Sequence, residues 1–346
     1  MRTRALTIAL TVLCLSAPPA LAARGEISPA PLRWTQIAPL PTARGGLVSV
    51  VADGQIFSIG GATSGFDQTL NTVEAYDPHR RAWRTVTSAG LTPRADLGAA
   101  SADGRIYAIG GYDSNGNASA AVESYDPRDP AAGWRSEAPL PIVSPSGWNG
   151  DGGVAAAGYH GLIYAVGGYD QDGNALANLE IYNPRTNTWT AGPPMRTARG
   201  LLRATFADGR LYAVGGFDST GTILSDTVES YEPTTDRWTT EAPIPIPRAE
   251  PALATLTDGQ IVAAGGCCVP GTTENGAQGA VFLRDAELYS PWNNTWHQLP
   301  ALPEARASLA GAAFGENGFL AIGGFQTSPD GPQAGSTVDA LELNRR

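Results

Sequence analysis

Residues 102–111 read ADGRIYAIGG. Asp103 and Gly104 suit a two-residue hairpin turn, because glycine accepts the positive φ of a type I′ turn, and the apolar run from Ile106 to Ile109 has the length of a short strand. The string recurs along the chain. Gly-Gly pairs close a short apolar strand at Gly60/Gly61, Gly110/Gly111, Gly167/Gly168, Gly215/Gly216, Gly265/Gly266 and Gly323/Gly324, spaced 48 to 58 residues apart. Turns of the same kind precede the strand at Ala52–Gly54, Ala207–Gly209 and Thr257–Gly259.

Each unit carries further landmarks in a fixed order. After the glycines and a polar loop come an acid and, two residues later, a tyrosine: Glu74 and Tyr76, Glu123 and Tyr125, Glu180 and Tyr182, Glu229 and Tyr231, Glu287 and Tyr289. A tryptophan follows at Trp83, Trp134, Trp189, Trp238 and Trp296. Each unit therefore reads as four strands joined by three turns. One such sheet cannot bury both faces, so the units must stack, and radial stacking around an axis gives a β-propeller. In these landmarks the chain resembles the kelch repeat family, a resemblance that runs from Trp34 to Leu343. It implies an all-β fold, a six-bladed kelch-type propeller occupying residues 33–346.

The sixth unit ends at Val338, Asp339 and Leu341 without a tryptophan, whereas Trp34 stands near the start in a segment like the one around Trp238. The N-terminal strand is expected to complete the last blade, which removes open sheet edges. Trp148 and Trp292 fall outside the pattern. The glycine pairs open no helix and do not fit a dinucleotide fingerprint, so they are read as packing positions.

Residues 1–22 pair Arg2 and Arg4 with an apolar run and a small-residue end, the layout of a secretory signal peptide, with residues 23–32 as a short linker. The chain is thus expected to be exported, extracellular or periplasmic, without a membrane span and monomeric. Charged residues make up 16% of the sequence, against ~25% in an average chain, while Gly 42 and Pro 27 suit many turns. The formal charge of −10 argues against nucleic acid as a partner. All 23 basic residues are arginines.

The Asp-Gly turns share one end of the ring; the loops after Gly-Gly and the connections between blades share the other. Irregularity gathers on that second face: an insertion from Ser144 to Gly153, a long loop from Cys267 to about Asp285, and another from Gln326 to about Thr337. Function is expected there. An arginine precedes the inner strand of five units: Arg44, Arg94, Arg199, Arg248 and Arg306; in the third, the insertion replaces it. The kelch resemblance implies that such arginines contact acidic ligands, alongside Trp148. Their other use is to satisfy backbone carbonyls or the neighbouring Asp96, Glu250 and Glu304.

The expected function is a non-enzymatic binding module for an acidic small molecule, glycan, polymer or protein partner, without cofactor or metal. His79, His160 and His297 fall in different units, unlike the ligand set of the copper-containing galactose oxidase type. The alternative is an enzyme resembling the sialic acid mutarotases, with Glu250 or Asp96 as general acid or base. Cys267 and Cys268 are adjacent, and a disulfide between them, a pair of free thiols and metal binding are the readings open to them. Adjacent Cα atoms lie ~3.8 Å apart, so such a bridge closes a strained small ring.

Overall fold

The computed structural model describes residues 32–343 apart from 65–66, 143–145, 147–149, 221–222, 268, 273–277 and 330. Trp148 and Cys268 lie outside the described residues.

Six four-stranded antiparallel sheets form the blades. Blade two is built from Gly98–Ala102, Arg105–Ile109, Val122–Tyr125 and Arg135–Ser136, each strand paired with the next. The first strands of successive blades (Val48–Ala52, Gly98–Ala102, Ala155–Tyr159, Arg203–Ala207, Ala252–Thr255 and Ala310–Phe314) touch one another around a closed circle, so they line the axis. In blade six the outer strand is Trp34–Gln36, with Trp34 opposite Leu341, and the propeller closes as the sequence predicts.

Apolar side chains fill the gaps between blades. Phe57, Ile59 and Val73 of blade one pack with Ile106, Ala108 and Tyr125 of blade two, and equivalent clusters lie between the other neighbours. The tryptophans bridge blades. Trp238 lies 5.4 Å from Tyr231 of its own blade, and its indole N–H donates to the Pro193 carbonyl of the preceding connection at 2.8 Å. Trp34 does the same for blade six, with Phe319 beside it and Pro300 as acceptor.

The glycine pairs also join blades. Gly61 donates its amide to the Arg94 carbonyl of the next blade, and a Cβ on Gly60 would stand 2.6 Å from that oxygen, at a φ of +63°. The close approach excludes any side chain. Asp53-Gly54, Asp103-Gly104 and Asp208-Gly209 take positive φ at both positions, as a type I′ turn requires. The Thr257–Gly259 turn differs. There only Gly259 has positive φ, and the Leu256 amide reaches over to the Gln260 carbonyl, making a longer turn.

Candidate functional site

The five repeat arginines do not open on the channel mouth. Each is 0–1% exposed and folded into its own blade, so the expectation that they face a ligand is corrected. Arg44 pairs with Glu74 and Arg94 with Glu123; Arg199 lies 3.4 Å from Glu229, Arg248 2.7 Å from Glu287 and Arg306 2.6 Å from Asp339. Their Nη groups also reach backbone carbonyls, Arg199 those of Ala213, Gly215 and Thr227 and Arg248 those of Gly265 and Asp285, whereas Nε of Arg44, Arg94, Arg199 and Arg306 is buried without a partner. Burial draws Arg199 down to about 10 against the pull of Glu229, which still leaves it charged at neutral pH. In four blades the partner acid is the one ahead of the repeat tyrosine and in blade six it is Asp339, ahead of Leu341; none is Asp96, Glu250 or Glu304. A buried charge needs a paired countercharge, which explains why the two landmarks recur together.

The residue two places after each arginine position stands at the axis. Gly46, Asp96, Gly153, Leu201, Glu250 and Ser308 all have φ between +50° and +66°. Their amides link blade to blade: Asp96 donates to Gly46, Gly153 to Asp96, Leu201 to Gly153, Glu250 to Leu201 and Gly46 to Ser308, at 2.8–3.0 Å. Left-handed backbone costs a non-glycine residue roughly 1–2 kcal/mol, and this hydrogen-bonded ring holds it in place. Just beyond the ring a cavity of about 50 Å³ is bordered by residues including Gly98, Ala155, Arg203, Ala310 and Gly311, and one of about 290 Å³ lies toward the Asp-Gly end.

Asp96 and Glu250, nominated from the sequence as acid and base, come from blades two and five and meet at this ring. They are 9% and 6% exposed. Ser308 Oγ donates to Glu250 Oε2 at 2.6 Å, and Arg203 Nη2 lies 3.9 Å from Glu250 Oε1. Asp96 Oδ1 and Glu250 Oε1 have no other donor, and a proton on Asp96 lets it donate to the facing Glu250 carboxyl. Burial first, and the facing Glu250 second, push the Asp96 carboxyl well above the usual carboxylate range.

Around this pair runs a rim that sequence reasoning missed, made by the residue following each glycine pair: Ala62, Tyr112, Tyr169, Phe217, Cys267 and Phe325. Each forms a bridge to the blade's own entry segment, as Tyr112 does with Ala95 and Cys267 with Ala249. The Tyr112 ring covers Gly152 and the Tyr169 ring covers Gly200. Tyr169 donates its hydroxyl to the Asp218 carbonyl at 2.9 Å, and burial raises its phenol to about 12. Burial and the nearby Asp96, Asp151 and Glu250 raise Tyr112 as well. The signal was available in the alignment on Gly-Gly, where four of six following residues are aromatic. Cys267 is 9% exposed and disulfide-bonded, taking the place of a ring.

In blade three, Asp151 takes the backbone place of the arginine. Gly111 donates to its carbonyl as Gly61 does to that of Arg94, and its own amide donates to Ser119 as that of Arg94 does to Leu70. From the sequence only an insertion was visible at this point.

The Kelch motif family matches residues 43–90, 93–140, 152–196, 198–245 and 250–303. Kelch-like protein 36 of Mus musculus is 30% identical over 288 residues, covering 80% of this chain and 43% of that protein. Beta-scruin of Limulus polyphemus is 33% identical over 189 residues, covering 53% of this chain and 20% of that protein. The chain spans less than half the length of these relatives. Among solved structures, that of YjhT superposes with a TM-score of 0.71 at 17% identity, covering 87% of this chain and 95% of that one, and shares the fold. Five matched repeats, together with a sixth blade closed by Trp34, make this chain a member of the kelch repeat family.

Proposed function

We propose that this propeller is a binding module whose loop-rich face takes a cationic, donor-bearing partner. One observation carries the reading: the repeat arginines are consumed in internal ion pairs, which leaves the loop-rich face to its aromatic rim and to exposed acids. Carboxylates and aromatic faces are what a desolvated guanidinium or ammonium seeks. Exposed charges on that face, among the described residues, include Asp67, Asp172, Asp226 and Glu304 against Arg196 and Arg284. The acidic ligand expected from the sequence rested on the arginines and loses its support with their burial. Sugar-anomer chemistry is not favoured, because the two carboxyls are engaged with each other and with Ser308. On the leader-like pattern of residues 1–22 we place this module outside the cytoplasm.

Titration of the full chain with an oligo-arginine and an oligo-glutamate peptide, at low and high salt, tests the reading. Binding of the basic peptide, weakened by salt and by Asp226→Asn with Glu304→Gln, is expected. A preference for the acidic peptide, or binding indifferent to salt, overturns it.

A further inference from the structure

Five blades pair a guanidinium with an acid on the third strand, and in three of them (Arg199, Arg248 and Arg306) it also reaches the carbonyls at the end of the second strand and the start of the third, which complete a cradle. Blade three has the cradle without its occupant. Its third-strand acid is Glu180, but the arginine is replaced by Asp151, a second acid. Asp151 is 0% exposed, and neither of its carboxyl oxygens has a hydrogen-bond partner. The Tyr169 amide lies close enough to draw the Asp151 carboxyl down against its burial, but it is spent on the Gly152 carbonyl at 2.8 Å, so Asp151 has no donor of its own. Asn178, just ahead of the third strand, likewise has a buried amide with no partner at either end. Glu180 is 8% exposed, against 0–3% for its five counterparts, so its carboxyl is the least covered of the six.

Unpaired buried acceptors cost stability and call for a donor. A guanidinium satisfies both acids and the carbonyl set at once, releasing to solvent the proton that burial leaves on Asp151 in the empty cradle, and the sister blades show that a planar guanidinium fits the arrangement. We propose that blade three binds the guanidinium group of a ligand, held between Asp151, Glu180 and Asn178, in the place where the other blades hold their own arginine. The inference deepens the reading of the face as cation-binding and rests on it; the cradle adjoins the rim, since the Tyr112 ring covers Gly152, the residue after Asp151.

The test uses the full chain and a small probe, agmatine, with N-butylurea as a neutral control of similar shape. Agmatine is expected to bind saturably and butylurea not to. Glu180→Gln, which keeps shape and removes charge, is expected to weaken agmatine at least tenfold. Asp151→Arg, which restores the repeat pair with Glu180, is expected to abolish agmatine binding and raise Tm. Agmatine that fails to saturate the wild type, or that binds Glu180→Gln as well as wild type, overturns the proposal, and the latter arm stands even if Asp151→Arg misfolds. An oligo-arginine peptide that binds wild type while agmatine does not would overturn the cradle and leave the reading of the face intact.

Discussion

Arg248 Nη2 and Glu287 Oε1 lie 2.7 Å apart with side chains 0% and 4% exposed, one from the entry to blade five and the other from its third strand. Both charges were taken from water, so their pairing cancels a desolvation cost rather than adding much net stability. Removing one partner is a different matter. Arg248→Met leaves Glu287 buried and uncompensated and strips donors from the Gly265 and Asp285 carbonyls. A loss of ~3–5 kcal/mol in chemical denaturation is expected. Arg248→Met with Glu287→Leu should recover a good part of it. A single mutant as stable as wild type would mean that the arginine is free to serve a ligand.

The Asp96–Glu250 contact makes stability depend on pH in a defined direction. The folded carboxyl of Asp96 sits well above its ordinary value of 3.8, as does that of Asp151, so the folded state holds protons that the unfolded state has released. Stability from these groups is fully present below pH ~4 and is lost as pH rises through the folded values. Asp96→Asn replaces the protonated carboxyl by an amide donor. Its advantage over wild type should be near zero in acid and grow toward pH 8, measured as the difference in unfolding free energy. An advantage that shrinks with pH would show the pair to be ionised in the folded state.

Closure depends on a strand from the other end of the chain. Trp34 packs against Phe319 at 6.1 Å and donates to Pro300 at 2.7 Å, fastening blade six to blade five. Trp34→Ala is expected to cost ~3–5 kcal/mol, as a large aromatic truncation does, though its partial exposure places it at the low end. Trp34→Phe keeps the packing and should lose only ~1 kcal/mol with the hydrogen bond. Thermal unfolding of both variants checks the order; equal losses would mean that ring packing contributes little to closure.

Much of this protein is determined by local pattern. Glycine pairs, the acid and tyrosine two residues apart, and the tryptophan recur because each unit solves the same problem of covering a four-stranded sheet; blade number and the borrowed strand follow by comparing one unit with the next. The turn at Thr257–Gly259 departs from that reading because turn type follows from how Leu256 and Gln260 close the strands, not from the Asp-Gly pair alone. Tertiary structure alone decided where charge is neutralised. Arg199 finds Glu229 across two strands, Asp96 finds Glu250 across the axis, and Asp151 finds no donor at all. A one-dimensional repeat specifies which residue types recur, but burial and the direction of each side chain fix which charges meet, and these arise only when the blades close into a ring.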